Sequence, residues 1–376
     1  MSEPNSAVSE DKRQEIAELV TILVPTYNRY RFLKRLVRYY ASTGFPAQLR
    51  LLDSSDYPEE DGELQHLIST NAHISQYRFP PETHPVTKQH LGLQNVSTPF
   101  VVVWADDDFL VPWSVLDGVR FLLKSPDHSI VHGQGGVFRK GLAGELFVGS
   151  YRQLSYTNGL ASDRLVSFLS NYSVTVYSVH RTNDLRTNME MVEEQGLRYR
   201  WAELCLGSLS AIRGKIHKFD RLYLLKQVHG SMDSWRGNDH AGDFFDHYID
   251  WLMGSDWGNA YLRFRNALAN ELVLVDGISL DSAMQTVQQA FWAYAAYGLL
   301  NNYSSRYLKK SVGTRARIRN AVKRVPFAKQ FWHNTLSRFP WGGGRFSLQA
   351  LNRASSPYYK DFSSIYRSVL DESVES

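Results

Sequence analysis

The sequence predicts an α/β protein: a mostly parallel central sheet flanked by helices, followed by an α-helical C-terminal region. Two observations lead there. Between residues 20 and 104, four short apolar runs rich in strand formers alternate with helically spaced segments, the pattern of βαβ crossovers in an open sheet. After about residue 239 the strand runs cease and Phe244, Phe245, Tyr248, Trp251 and Leu252 fall on one helical stripe. The composition change sets a boundary near 232–240, dividing the chain into a flexible tail over 1–18, an α/β domain over 19–235 and a helical region over 236–376.

The polar first residues read as a disordered tail entering a short helix. Val20-Thr21-Ile22-Leu23-Val24 is a buried strand ended by Pro25. Phe32, Leu33, Leu36, Val37 and Tyr40 recur at helical spacing and predict a helix over 29–40. A strand over 49–53, a short helix over 63–69, a strand over 76–79 and a helix over 86–96 follow. Phe100 to Trp104 is a strand of β-favouring residues after Pro99. Pro112 suits a first helical position, and Val115, Leu116, Val119, Leu122 and Leu123 continue that helix. Strands are expected over 129–138 and 145–149, where Gly133, Gly135 and Gly136 mark a bulge, a hairpin or a close ligand approach. A helix over 160–169, a strand over 173–180, a helix over 201–212 and a strand over 222–228 complete the domain. The apolar run 290–300 reads as a buried helix, and Trp341-Gly342-Gly343-Gly344 as a joint before a final helical tail.

With 376 residues, 43% of them hydrophobic, the chain can bury a sizeable core. Its single cysteine, Cys205, excludes an intramolecular disulfide framework and a cysteine-based zinc cluster, and suits a reducing cytoplasm. Burial as a small apolar residue is its ordinary role. The first 18 residues show no secretory signal, and no apolar run approaches the ~20 residues needed to span a bilayer. The net charge of +4 hides an asymmetry, because residues 306–345 hold 11 Lys or Arg and no Asp or Glu. Tyr307, Phe327, Phe331, Trp332, Phe339 and Trp341 are interleaved with these charges. Such a stretch suits an anionic membrane surface, at about 1 kcal/mol per basic residue. A solvated basic face, self-association or nucleic acid are the other uses of that composition.

Asp106-Asp107-Asp108, at the end of the 100–104 strand, is the most telling segment. Three adjacent carboxylates repel and are tolerated in water or around a cation. Ligands of open α/β sheets bind at the carboxyl ends of strands. Oxygen ligands select Mg²⁺ or Mn²⁺, and magnesium takes one or two protein carboxylates, filling its shell with water and substrate phosphates. A metal-diphosphate is the expected guest, with a solvated acidic turn capping the next helix as the alternative.

Ile22-Leu23-Val24-Pro25-Thr26-Tyr27-Asn28-Arg29 closely resembles the opening strand and nucleotide-binding loop of family-2 glycosyltransferases with the GT-A fold. A loop leaving a strand for a helix can aim backbone N–H groups at an anion. The resemblance covers about residues 20–230 and implies the GT-A nucleotide-diphospho-sugar transferase fold, with Pro25, Thr26, Tyr27, Asn28 and Arg29 at the donor nucleotide. Leu51-Leu52-Asp53-Ser54-Ser55 resembles the second-strand element whose acid, here Asp53, receives the base or ribose. The triplet falls where the family carries its Asp-x-Asp motif. One register puts Ala105 at the first acidic position and Asp107 at the key one. The three-aspartate form puts Asp108 on the metal and Asp106 on the ribose or a metal-bound water, leaving Asp107 as the alternative ligand.

Arg200-Trp201-Ala202-Glu203-Leu204, with Gly214-Lys215-Ile216 following, resembles the segment that supplies the family's catalytic base, with Ala202 at its first acidic position. Glu203 is the implied base, taking the proton of an attacking hydroxyl; Glu193 or Glu194 serve if the register slips. Gln227-Val228-His229-Gly230 stands where several GT-A enzymes supply a histidine, implying His229 as a metal or diphosphate ligand. Lys88 and Arg78 lie where the family contacts the base or diphosphate, and Trp235 and Arg236 lie in a loop suited to closing over the donor.

The expected activity is an inverting, Mn²⁺- or Mg²⁺-dependent transfer of a sugar from a nucleoside diphosphate sugar to a hydroxyl of a glycan or lipid-linked acceptor. By family analogy its setting is bacterial surface polysaccharide or glycoconjugate synthesis, in the cytoplasm or on the inner face of the membrane through 306–345; nucleic acid is not an expected partner. One competing reading is a membrane-associated scaffold or nucleic-acid-binding module centred on 306–345. Another is an Asp-x-Asp phosphatase, whose motif wants a small hydroxyl or β-branched residue where Leu110 stands. A sugar-nucleotide-forming nucleotidyltransferase would need a glycine-rich first loop, absent from 24–29.

Overall fold

The computed structural model describes residues 9–140, 146–228, 251–311 and 347–371. Helix α1 (Glu10–Leu19) leads into β1 (Val20–Thr26), α2 (Tyr30–Ser42), β2 (Gln48–Asp53), α3 (Glu63–Ser69), β3 (Ile74–Arg78), α4 (Pro85–Gln94) and β4 (Phe100–Val103). Strand β1 pairs in parallel with β2 and β4, and β2 with β3, so the expected βαβ units form the order β3-β2-β1-β4. Val20, Ile22, Leu23 and Val24 are wholly buried, as a parallel strand covered on both faces must be. The period-two alternation of side chains sorts them: Ile22, Val24 and Val102 face one core, Leu23, Val101 and Val103 the other.

Beyond β4 the sheet becomes mixed. The chain continues through β5 (Phe109–Leu110), α5 (Pro112–Lys124), β6 (His128–Lys140), β7 (Leu146–Tyr151), α6 (Ala161–Ser170), β8 (Val179–Arg181), α7 (Thr182–Glu194), α8 (Tyr199–Arg213) and β9 (Lys215–Gln227). Strand β8 pairs antiparallel with β4 and β6. Strand β9 runs parallel along β6, and near its end β5 lies antiparallel on its other side, with Leu225 opposite Phe109. Among the described residues the nine strands form one sheet in the order β3-β2-β1-β4-β8-β6-β9-β5, with β7 beside β6. The curl returns the end of β9 to the acidic turn that follows β4. Gly133 sits where the β6–β9 register slips, and a Cβ there would stand 2.6 Å from the Arg221 carbonyl oxygen. Close approach of backbone, not of ligand, accounts for this glycine.

The strand expected over 173–180 is a correction: only Val179–Arg181 pairs as a strand. Residues 173–178 turn instead, because their polar groups bond within the turn and to side chains of other elements, not to a neighbouring strand. The Ser178 N–H donates to the Thr175 carbonyl at 3.0 Å, Ser178 Oγ bonds His132 Nδ1 at 2.9 Å, and Ser173 Oγ lies 3.2 Å from the Tyr156 hydroxyl. Helix α7 and strand β5 are additions. Leu185, Met189 and Val192 give α7 a buried helical face, whereas two-residue β5 is defined only by its partner β9.

Helices α9 (Trp257–Asp276) and α10 (Leu280–Ser311) bring Phe264, Leu268, Leu272, Val287 and Phe291 into one core with Leu204, Cys205 and Leu209 of α8. On the opposite core α11 (Leu348–Leu351) and α12 (Tyr359–Asp371) add Leu351, Phe362, Ile365 and Val369 beside Leu33 and Leu36 of α2. Asp276 accepts from the Ala161 and Ser162 N–H groups at 2.9 and 2.8 Å, capping the start of α6. Arg213 donates to Glu271 at 2.7 Å. The described C-terminal helices thus extend both cores of the sheet. No helix among the described residues is long and apolar enough to cross a membrane. His229, Trp235, Arg236, Phe244, Phe245, Tyr248 and residues 312–346 of the basic stretch lie outside the described residues.

Candidate active site

The site begins where β1 ends. Asn28 takes a left-handed backbone conformation, φ 54°, a region Asn tolerates better than most residues. Its N–H donates to Ser55 Oγ at 2.8 Å, its side-chain amide donates to Asp56 at 2.6 Å, and its Oδ1 accepts from the Asp56 N–H at 3.0 Å. The Tyr27 hydroxyl bonds the same Asp56 carboxylate at 3.2 Å. The loop is thereby tied to the end of β2. Pro25, half-buried in β1, pairs with Leu52, and Thr26 with Asp53.

Lys88 lies beneath the loop, 1% exposed. Its ammonium donates to the Thr26 carbonyl at 2.5 Å and to Ser54 Oγ at 2.8 Å, stapling the ends of β1 and β2. Asp53 is wholly buried: Oδ1 accepts from the Ser55 N–H at 2.8 Å, and Oδ2 from Tyr30, Gln76 and Arg78 at 2.8, 2.8 and 2.6 Å. Burial pushes this carboxyl up, but the bonds from Ser55, Tyr30 and Arg78 outweigh it and hold the group below the usual carboxylate range. Arg78 also lines a cavity of about 550 Å³ with Arg50, Gln76, Tyr77 and Phe79.

The acidic triplet is neutralised largely by the protein's own cations. Arg29 bridges two members, Nη1 to Asp106 Oδ1 at 3.0 Å and Nη2 to Asp107 Oδ2 at 2.6 Å. Thr26 Oγ1 donates to Asp106 Oδ2 at 2.7 Å, so both Asp106 oxygens are engaged. Arg35 donates to the Asp107 carbonyl at 2.6 Å and lies over the Phe109 ring. Asp108 differs. Its Oδ1 accepts from the Gln227 N–H at 2.8 Å, while Oδ2 is buried without a hydrogen-bond partner, 3.9 Å from Lys226 Nζ. Burial pushes Asp106 up to about 6, with Arg29 opposing, and Asp108 up to about 7, with Lys226 opposing.

A buried carboxylate oxygen without a hydrogen bond is costly unless something else binds it, and a hard divalent cation is the natural partner for such a donor. The donor chemistry at Asp108 therefore fits Mg²⁺ or Mn²⁺. Among the described residues, the only carboxylates with three ligand atoms clustered within 4.8 Å are Glu59, Asp61 and Glu63. These surround the Lys34 ammonium at 3.3, 2.5 and 3.3 Å, which already balances their charge.

Glu203 projects from the first turns of α8 and accepts from the Tyr172 hydroxyl at 2.5 Å. Glu193, at the end of α7, is bonded to Arg198 and Thr87 at 3.1 Å each, and Glu194 is exposed. Tyr151 on β7 links the two acidic regions electrostatically. Burial pushes the pKa of its phenol up, Lys226 opposes, and the charges of Glu203 and Asp108 both add to the rise. Lys226, Arg35, Tyr151 and Tyr172 escaped the sequence reading. Only Lys226 carried a signal, standing directly before the quoted segment at Gln227.

No family model matches the chain, and no curated protein matches it. Among solved structures the chain is similar to the crystal structure of S. aureus TarS 1-349, at 14% identity and a TM-score of 0.45, over 78% of this chain and 74% of that one. The structure of TarS 1-349 in complex with UDP-GlcNAc aligns at 14% identity and a TM-score of 0.40, over 74% and 91%. The corresponding complex with UDP aligns at 14% identity and 0.39 over the same shares. At these scores the likeness says nothing of activity.

Proposed function

We propose that the chain is an inverting, metal-dependent glycosyltransferase that moves a sugar from a nucleoside diphosphate sugar to an acceptor hydroxyl. The observation that carries this reading is the buried, hydrogen-bond-free Oδ2 of Asp108 at a strand end beside the 25–29 loop. Asp108 would hold Mg²⁺ or Mn²⁺, with His229 and Asp106 as the further expected ligands. A bound cation supplies positive charge against the diphosphate leaving group. The loop 25–29 meets the nucleotide. Arg78 and Tyr30, which hold Asp53, carry its influence to the nucleoside. Arg29 opposes the burial-driven rise at Asp106 and holds Asp106 and Asp107 in place.

Glu203 accepts the proton of the acceptor hydroxyl as that oxygen bonds the anomeric carbon and the bond to the diphosphate breaks on the opposite face. Bacterial surface polysaccharide or glycoconjugate synthesis at the membrane face, with a glycan or lipid-linked acceptor, is the setting we infer from the resemblance and the basic 306–345 stretch. An Asp-x-Asp phosphatase is disfavoured, because Leu110 stands where its motif wants a small hydroxyl or β-branched residue.

The test is a thermal-shift panel of nucleoside diphosphates with and without Mn²⁺. One of them at a hundred times its Kd is expected to stabilise the protein by about 2.7 kcal/mol, only with metal, and not in Asp108→Ala. A folded protein that responds to no nucleotide overturns the reading.

A further inference from the structure

The candidate base is gripped by a group outside its own motif. Tyr172 lies in the turn between α6 and β8 and donates its hydroxyl to Glu203 Oε1 at 2.5 Å. Among the described residues that is the hydrogen bond Glu203 makes, so one oxygen is held and Oε2 stays available to accept a proton. The Tyr172 ring stands edge-on between Phe168 of α6, with centroids 5.4 Å apart, and Tyr294 of α10, at 5.3 Å. Tyr294 is 8% exposed and its hydroxyl accepts from Arg200 Nη1 at 3.4 Å, on the turn of α8 that carries Glu203. Burial raises the Tyr172 phenol well above its ordinary value and the Glu203 charge adds to this, so the phenol remains a donor throughout the working pH range.

We propose that Tyr172 is the positioning residue of Glu203, and that Tyr294 holds Tyr172 in place, so that the helical C-terminal region completes the proton-accepting end of the site. The proposal rests on Glu203 being the base. A carboxylate pinned through one oxygen presents the other in a single orientation, which is what proton transfer in a transition state requires. A phenol is suited to that task because it donates one bond and, unlike a lysine or arginine, brings no charge to suppress the basicity of its partner.

The test uses the full chain with 3-fluorotyrosine at position 172, read by ¹⁹F NMR, beside turnover of UDP-GlcNAc as donor probe. The ¹⁹F resonance is expected to differ between the parent and Glu203→Gln, where a carboxylate acceptor becomes an amide. Tyr172→Phe, which keeps the ring, is expected to lower kcat at least tenfold with the donor KM within twofold of the parent. A role in packing alone would move thermal stability and KM together. The fluorotyrosine protein is the second variant should Tyr172→Phe not fold, since its packing is preserved while its more acidic phenol alters kcat at unchanged KM. An identical ¹⁹F shift in parent and Glu203→Gln overturns the contact, and an unchanged kcat in Tyr172→Phe overturns the positioning role. Full turnover in Glu203→Gln removes the base reading itself, and is recognised by the ¹⁹F contact persisting in the parent.

Discussion

Asp108 is set apart from Asp106 and Asp107 by what its second oxygen lacks, and this has a pH signature. Its folded-state pKa, pushed up by burial to about 7, lies above the ordinary carboxylate value. The folded protein therefore keeps a proton that the unfolded chain has released, and stability falls as pH rises from the unfolded value through about 7. Without metal, Asp108→Asn should flatten that fall and raise the melting temperature at pH 8; equal pH slopes in parent and variant would rule this out. Mn²⁺ needs the ionised form, so its apparent affinity should climb over the same window, as titration calorimetry at pH 5.5 and 8 would register. Arg29 acts in the other direction. Arg29→Met removes the guanidinium that bridges Asp106 and Asp107, an expected loss of about 3–5 kcal/mol in urea unfolding. Glu203→Ala should bind donor and metal as the parent does while turnover drops about 10²–10⁴-fold.

Secondary-structure elements explain why these groups meet. Strand β4 is short and is followed directly by Trp104, whose buried indole donates to the Asp108 carbonyl at 3.2 Å and packs against Tyr39 and Tyr40 of α2. The acidic turn is thus clamped on the side facing α2, and Trp104→Ala should cost about 3–5 kcal/mol. From the other side β9 delivers Lys226 and the Gln227 N–H. Its reach depends on the β6 bulge, so Gly133→Ala, which would place a methyl 2.6 Å from the Arg221 carbonyl, is expected to destabilise by about 1–3 kcal/mol. Melting curves that match the parent would show the bulge to be adaptable. Strands β1, β2 and β4 were legible because their buried positions are largely apolar, whereas β3, mostly polar and only partly buried, was placed two residues late, at 76–79 instead of Ile74–Arg78. The 173–178 turn was not, because β-favouring residues there were outweighed by hydroxyl bonds to groups distant in sequence, such as His132.

At the scale of the whole molecule, the composition break near 232–240 is not a break between cores. Phe264, Leu268, Leu272 and Phe291 pack with the residues that bury α8, and each such side chain contributes about 1.5–3 kcal/mol on burial. A chain ending at residue 235 is therefore expected to be aggregation-prone or unfolded, judged by circular dichroism and sedimentation. A well-folded monomer of that length would show the helical region to be an appendage.

Local pattern determined much on its own: the alternation of strands and helices, the 25–29 loop, Asp53 and the triplet at strand ends, and the buried Cys205. These follow from period, punctuation and neighbouring residues. Tertiary structure decided which oxygen among the three aspartates is buried without a hydrogen bond, and which cations balance them. Arg29 stands 78 residues from Asp107, and the Gln227 N–H 119 residues from Asp108. The physical reason is that charge balance and hydrogen-bond saturation are properties of three-dimensional neighbours, and the curl of β9 around β6 that assembles them leaves no periodic trace in the chain.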